Sequence, residues 1–317
     1  MAPEERANPG WSYTSTFGNW ENRASVRNKP PRILTEATPA TVFFPPEAVP
    51  AVSDPLVVER GPAVAHRLLV HSLYQYLHFT TVLEQVAVLP VTARISLDRA
   101  GVVALPAAMR ADAFKITTDE AWHAQSSHDF TERVAAVTGI AASAVVEPRF
   151  AHLLARLRDG FDVADRPLVD LVFAVVSETL VSSLLAGLPF DRRLPEPVRA
   201  LVADHAADEG RHHSYFRAFL RCLWPRLTAA QRRLVGPRVP ELVEAFLHPD
   251  LAAVRAALVA SGFTAAEADT IVRRSYPPGA PVFDVAPAAR ATVRAFRDVD
   301  ALDDTATREA FMAAGLE

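Results

Sequence analysis

Two copies of one acidic and histidine-containing motif are the residues of this chain best suited to chemistry. The copies read Asp119-Glu120-x-x-His123 and Asp208-Glu209-x-x-His212. Residues three apart on a helix project from one face, so the glutamate and the histidine of each copy can reach a single point. Each copy follows a segment with a glutamate in an apolar setting, Glu84 in TTVLEQVAVL and Glu178 in FAVVSETLVSS. This order predicts two helix pairs related by approximate two-fold symmetry.

The carboxylates of these segments predict a site for two cations. Gathering four glutamates inside an apolar interior is very costly unless positive charge accompanies them. A glutamate from each of two helices, with Glu-x-x-His from each of two others, is the pattern of di-iron and di-manganese bundles. Oxygen and nitrogen donors without thiolate suit iron or manganese and argue against a structural zinc site. The residue types alone leave iron and manganese as alternatives.

One further histidine extends the second motif. His205 precedes Glu209 by four residues, so His205, Glu209 and His212 face the same side of one helix. These three residues could instead hold a single zinc ion. That alternative leaves Glu178 and Glu120 without a role, and the dinuclear site is therefore favoured.

An aspartate stands directly before the glutamate of each motif. We expect Asp208 to accept a hydrogen bond from His123, and Asp119 to accept one from His212, across the helix pair. Such bonds would fix the tautomer and the orientation of each metal-binding imidazole. The alternative is that both aspartates are exposed charges on the helix surface.

A few residues near the apolar-context glutamates are candidates for lining an oxygen and substrate pocket. They lie within one or two helical turns of Glu84 or Glu178, and ordinary core packing is the alternative role for each. These candidates are Tyr76, Thr80, Thr81, Val181 and Ser182.

The elements that must position all these residues are helices. Prolines separate the long helical patterns, as expected where helices start or stop. Residues 1–55 are rich in Pro, Asn and Ser and predict an irregular arm that wraps the domain or stays mobile. Residues 277–285 are expected to form a loop. The predicted helices span residues 59–88, 107–128, 131–140, 147–159, 166–188, 195–223, 228–247, 265–275, 286–298 and 304–315.

Length and composition fit one large all-α domain. The chain has 317 residues, of which 50% are hydrophobic, enough to bury a sizeable core. We expect residues 56–317 to form a single domain. Its centre would be a ferritin-like four-helix bundle at about residues 59–225, with additional C-terminal helices at 228–317.

The charge pattern argues against several kinds of partner. The net charge is -4, so no basic excess is present to meet a nucleic acid or an anionic membrane surface. The most apolar segment, residues 167–190, contains Asp170 and Glu178, which favours a helix buried in protein over a membrane span. The single cysteine, Cys222, and a polar N-terminus lead us to expect a cytoplasmic protein.

Taken in order, the motifs resemble one enzyme family, the p-aminobenzoate N-oxygenases (AurF-like). The resemblance covers about residues 60–225 and includes the segments YLHFTTVLEQ, TTDEAWHA, VSETLVSSLL and DHAADEGRHH. It is most specific at His205, because common di-iron bundles use six side chains and this family adds a seventh, a histidine one turn before the last glutamate. The ligands that the resemblance implies are Glu84, Glu120, His123, Glu178, His205, Glu209 and His212.

This resemblance implies a non-haem di-iron enzyme of antibiotic biosynthesis. Two iron ions and O2 would oxidise an amine, either an aryl amine or a carrier-tethered one, to a hydroxylamine, nitroso or nitro product. Electrons would come from an external reductase, since the sequence contains no G-x-G-x-x-G motif for a flavin or nicotinamide. We also expect a homodimer, the commonest closed assembly.

Three other functions fit parts of the sequence. The first is a di-iron enzyme acting on carbon, such as a hydroxylase, desaturase or oxidative cleavage enzyme, against which His205 favours N-oxygenation. The second is a ferritin-like iron store or oxygen scavenger, which usually forms a shell of shorter subunits. The third is a metal-free helical interaction module.

Overall fold

The computed structural model describes residues 12–101, 104–142, 145–185, 187–277 and 285–317, without the side chains of residues 182–184. All the regular structure in these ranges is helical, which confirms the all-α prediction. A π-helical segment, Glu84–Val88, joins α4 to α5. The helices are α1 (Trp20–Arg23), α2 (Ser25–Asn28), α3 (Pro55–Glu59), α4 (Pro62–Leu83), α5 (Leu89–Ser96), α6 (Ala107–Thr138), α7 (Arg149–Gly160), α8 (Arg166–Leu185), α9 (Glu196–Leu223), α10 (Ala229–Val235), α11 (Val239–Leu247), α12 (Leu251–Ala260), α13 (Ala265–Ser275), α14 (Val285–Arg297) and α15 (Thr305–Ala313).

The long helices α4, α6, α8 and α9 lie at the centre and carry the motifs. Helix α4 packs against α6, α8 packs against α9, and α6 packs against α9. Helix α8 is apolar on all sides and buried from Leu168 to Val181, as expected for a helix that other elements surround. Across the described residues, no helix is both long enough and apolar enough to cross a bilayer.

The predicted break between residues 128 and 131 is wrong. Helix α6 runs without interruption over 32 residues and ends at Gly139, which adopts a left-handed conformation with φ 69°. No glycine or proline stands between Ala107 and Thr138, so nothing in the chain stops the helix before that point.

The C-terminal third differs from the prediction in two places. The predicted helix 228–247 is divided into α10 and α11, because Pro237 and Pro240 lack the N–H that would continue the helical hydrogen bonds. Helix α12 was not predicted; Asp250 caps it by accepting hydrogen bonds from the next turn. The predicted capping box of Thr264 and Glu267 is present at the start of α13. Most of the predicted loop 277–285 lies outside the described residues.

The N-terminal arm packs into the core as far as it is described. It contains only short helical turns before α3, but Phe17, Trp20, Ala24 and Phe43 are buried in the main hydrophobic core. These apolar side chains stabilise the arm against the helices by removing aromatic surface from water. The described part of the arm therefore wraps the domain.

Candidate metal centre

Seven carboxylates and histidines come together where the four central helices meet. All seven residues are buried, and the most exposed of them, His205, is 8% exposed. Glu84 opens the π-helical segment Glu84–Val88, and π-helical turns occur frequently at functional sites. The other helices contribute Glu120 and His123 from α6, Glu178 from α8, and His205, Glu209 and His212 from α9.

The seven residues form two groups of donor atoms that share Glu209. Within each group, one oxygen or nitrogen from each residue lies within 4.8 Å of all the others. The histidine-rich group is Glu84, His123, His205 and Glu209. The carboxylate-rich group is Glu120, Glu178, Glu209 and His212. A carboxylate common to both groups can bridge two metal ions.

The glutamates of both groups have unsatisfied oxygen atoms. Oε2 of Glu84, of Glu178 and of Glu209 is buried and has no hydrogen-bond partner among the described residues. Burying an unpaired carboxylate oxygen is costly, and a metal ion would satisfy several such oxygens at once. The residues present therefore fit a pair of oxygen- and nitrogen-bound metal ions.

The protonation of the cluster indicates the same need for cations. Burial, and then the neighbouring carboxylates, raise the pKa of Glu84 and of Glu178 well above the ordinary value. Burial alone would also raise the pKa of Glu209, but the charge of His212 and hydrogen bonds from His205 and His212 hold it well below that value. Without a metal ion, these two glutamates would keep their protons to higher pH than an ordinary glutamate does, and bound cations would replace those protons.

The two aspartates lie behind the histidines, across the helix pair. His123 donates from Nε2 to Asp208 at 3.1 Å, and His212 donates from Nε2 to Asp119 at 3.1 Å. Nδ1 of each imidazole faces the cluster, 2.9 Å and 2.8 Å from oxygens of Glu120. Both aspartates are 0% exposed, so the alternative of exposed helix charges is wrong.

The N-terminal arm supplies an outer layer of contacts that sequence reasoning missed. The Trp20 indole donates from Nε1 to both carboxylate oxygens of Asp119 at 2.9 Å. The backbone N–H of Ser25 donates to both oxygens of Asp208 at 3.2 Å, and the Arg211 guanidinium also pairs with Asp208. The available signal was the presence of aromatic residues, Phe17 and Trp20 among them, in an arm rich in Pro, Asn and Ser.

A large cavity of about 600 Å³ adjoins the cluster. Three of the pocket candidates, Tyr76, Thr80 and Val181, line this cavity. Thr81 does not line it and donates its hydroxyl to the Leu77 carbonyl at 2.9 Å instead. The side chain of Ser182 lies outside the described residues.

Tyr76 marks the boundary between this cavity and a second, smaller one. The smaller cavity, of about 30 Å³, is lined by His123 and His205, and Tyr76 and Thr80 line both cavities. The Tyr76 hydroxyl is buried and has no hydrogen-bond partner in the part of the chain described. Burial raises its pKa, and the nearby charges of Glu209 and Glu84 add to the shift, so the phenol keeps its proton beside the cluster.

Comparison with known proteins agrees with this geometry. A family model described as p-aminobenzoate N-oxygenase AurF matches residues 17–277, a range that contains all seven residues of the centre. Among known relatives, 4-aminobenzoate N-oxygenase from Streptomyces thioluteus is 27% identical over 260 residues, which cover 78% of this chain and 75% of that protein. The family match spans well over half of the chain. The chain therefore belongs to the p-aminobenzoate N-oxygenase (AurF) family of di-iron oxygenases.

Proposed function

We propose that this protein is an O2-dependent N-oxygenase in which seven side chains hold two iron ions. The observation that carries the proposal is the pair of buried donor groups sharing Glu209. We assign one iron to the histidine-rich group and the other to the carboxylate-rich group. The proposed ligands are Glu84, Glu120, His123, Glu178, His205, Glu209 and His212.

We infer that the scaffold is a ferritin-like four-helix bundle made from α4, α6, α8 and α9. The packing of α4 on α6, of α8 on α9 and of α6 on α9 supports this inference, as does the supply of carboxylates and histidines from all four helices. We further propose a single domain from residue 56 onward, with residues 1–55 as an arm that belongs to the metal centre functionally. A homodimer is the proposed assembly.

Asp119 and Asp208 act as positioning residues in this proposal. Each accepts a hydrogen bond from Nε2 of a histidine, which directs Nδ1 of that histidine at the cluster. An imidazole fixed in this orientation presents Nδ1 to a cation without first having to rotate. Two iron ions, when bound, would supply O2 activation and electron storage.

The substrate in this proposal is an amine that enters through the large cavity. The Streptomyces thioluteus relative is named for 4-aminobenzoate, an aryl amine. The amine proposed for the present protein is an aryl amine or a carrier-tethered one. Conversion of the amine to a hydroxylamine inserts one oxygen atom from O2 and releases the other as water, with two electrons and two protons supplied. Further oxidation would give a nitroso and then a nitro product of the kind used in antibiotic biosynthesis.

The residues around the amine would control water and protons. Apolar walls at Leu83 and Val181 exclude water from the inner end of the cavity. The protonated hydroxyl of Tyr76 lies there without a protein partner, so it can donate a hydrogen bond to the amine or to a developing oxygen substituent. An external reductase is the proposed source of electrons.

Metal analysis followed by a turnover assay tests the proposal. The protein is expressed with sufficient iron, assayed for iron per chain, reduced chemically and exposed to air with an aryl amine. About two irons per chain and a hydroxylamine, nitroso or nitro product are expected. Oxidation only at carbon would replace the proposal with a carbon oxygenase, and an iron-free protein would support a helical interaction module.

A further inference from the structure

The size of the large cavity bears on what kind of amine this enzyme accepts. Its volume is about 600 Å³, within the range of pockets that enclose drug-sized ligands, roughly 300–1,000 Å³. A single benzene ring with an amino and a carboxylate group would occupy only a small part of it. The cavity therefore has room for a larger molecule than 4-aminobenzoate.

The cavity follows one face of α4 as an extended corridor. The α4 residues that line it recur at helical spacing, from His71 and Ser72 through Tyr76 to Leu83. Twelve helical steps separate His71 from Leu83, a rise of about 18 Å. Leu83 directly precedes Glu84, so the Leu83 end of the corridor is the end beside the cluster.

The walls of the corridor are mostly apolar. They combine aromatic rings with aliphatic and small side chains from the arm, α4, the 3-10 turn Leu188–Phe190, α11 and α12, among them Phe44, Phe79, Leu188, Phe246, Ala253 and Ala257. A substrate that fills such walls gains affinity by burying apolar surface.

Several polar side chains line the corridor away from the cluster, and His71 is a buried one among them. His71 is 5% exposed, lines the cavity, and its Nδ1 has no hydrogen-bond partner among the described residues. Burial lowers the pKa of His71, so the neutral imidazole offers one donor and one acceptor. It can hold a polar group on the far end of a bound molecule.

We propose that the natural substrate is an extended amine with an apolar body at least two rings long and a polar group at the end remote from the nitrogen. The amine lies beside Tyr76 and Leu83, and the polar group reaches His71. This inference rests on the proposed function, because that function places the reacting nitrogen at the inner end of the corridor.

Binding of a length series to the iron-loaded protein without O2 tests the inference. The probes are 4-aminobenzoate, 4′-aminobiphenyl-4-carboxylate and the three-ring homologue, measured by calorimetry. We expect Kd to fall by on the order of tenfold from one ring to two, because the second ring buries further apolar surface. A Kd that stays constant or rises with length would overturn the inference.

Two neighbouring alanines on α12 provide a variant and a matched control. Ala253 lines the corridor, and Ala252 is exposed on the same helix. Ala253→Phe should weaken two-ring binding at least tenfold more than it weakens one-ring binding, and Ala253→Leu should do so to a smaller extent. Ala252→Phe should leave the ratio of the two dissociation constants unchanged. The inference would be overturned if the ratio of the two-ring to the one-ring dissociation constant were the same in all three variants as in the natural protein.

Turnover in air separates this inference from the proposed function. If the amines bind in the expected order but none is oxidised, the proposed function fails. If 4-aminobenzoate is oxidised as efficiently as the longer amines, the function stands and the size assignment is wrong. Oxidation of amines only when a carrier protein presents them would also overturn the assignment to a free extended amine.

Discussion

The two halves of the metal centre have the same motif but different surroundings. In the first motif the residue four positions before Glu120 is Ile116, whereas in the second the residue four positions before Glu209 is His205. Both are buried, and the His205 ring centroid lies 4.1 Å from that of His123. The histidine-rich group therefore has two imidazoles and two carboxylates, while the carboxylate-rich group has one imidazole and three.

The groups that donate hydrogen bonds to Asp119 and Asp208 also differ between the two halves. Asp119, behind His212, accepts from a neutral indole, that of Trp20. Asp208, behind His123, accepts from a backbone N–H and also pairs with a charged guanidinium. The carboxylate-rich half thus has more negative charge and less positive compensation. A symmetric fold can hold two irons in unequal electrostatic environments through a few side chains outside the motif.

Removing the carboxylate shared by both halves should have the largest effect. Glu209→Gln takes one ligand from each donor group, so we expect loss of most bound iron and a fall in turnover of more than a hundredfold. Iron per chain by elemental analysis and amine turnover are the measurements, with thermal unfolding as the check on folding.

Glu196→Gln is the matched control for this experiment. Glu196 lies on the same helix but is exposed, so its replacement should change neither iron content nor turnover. Two irons per chain in Glu209→Gln would contradict the assignment of Glu209 as the bridge.

Making the halves alike should have the second largest effect. His205→Ile gives the second motif the residue that the first motif has at Ile116. We expect iron still to load at saturating concentration, and turnover to fall by about tenfold to a hundredfold because one imidazole is lost from the histidine-rich group. Turnover equal to that of the natural protein would refute a role for His205, and Ile116→Val serves as a conservative control.

The metal centre also shows which of its residues the sequence could predict and which it could not. Glu120, His123, Glu209 and His212 follow from helical periodicity alone, since residues three apart share a face. The contact between Trp20 and Asp119 joins residues 99 positions apart, and no local pattern encodes such a pairing. The sequence therefore predicted which carboxylates and histidines lie together in each half, and the aspartates behind them, but not the contacts that the arm makes with those aspartates.

The features of the fold that were not predicted have local physical causes. Helix α12 was not predicted, although Asp250 caps it by accepting hydrogen bonds from the backbone N–H groups of Ala252 and Ala253. The π-helical turn at Glu84 leaves no periodic signal, since its effect is a single extra residue in one turn. Both features line or position the site, so the element pattern was predicted better than the shape of the cavity.

Proton release on metal binding should appear in both halves. In the metal-free protein, burial and neighbouring carboxylates raise the pKa of Glu84 in one group and of Glu178 in the other. Burial alone would lower the pKa of His123, but hydrogen bonds with Asp208 and Glu120 raise it to about 10. All three groups hold their protons to higher pH than is usual for their type, and an incoming cation must displace those protons.

Iron affinity should therefore rise with pH, by about tenfold per pH unit for each proton released. Protons compete with the cation for the same atoms, so lowering the pH favours the metal-free form and weakens iron binding. Titrating ferrous iron anaerobically into weakly buffered protein, with protons counted by added base, measures the release. Affinity that is the same at pH 6 and pH 8 would show that the glutamates are already ionised without metal.

The smallest expected effect tests the outer layer of one half only. Trp20→Phe keeps an aromatic ring in the core but removes the indole N–H from Asp119. We expect the affinity of the carboxylate-rich group for iron to fall by about threefold to tenfold, since Asp119 loses a donor and holds His212 less firmly. Competition with a ferrous chelator should resolve a weakened class of iron and an unchanged one.

Ser25→Ala is the control from the opposite half. Asp208 accepts from the backbone N–H of Ser25, which alanine retains, so this variant should bind both irons as the natural protein does. Equal weakening of both irons in Trp20→Phe would mean that the arm stabilises the fold as a whole. Weakening confined to one iron would instead show that Trp20 acts on the carboxylate-rich group through Asp119 and His212.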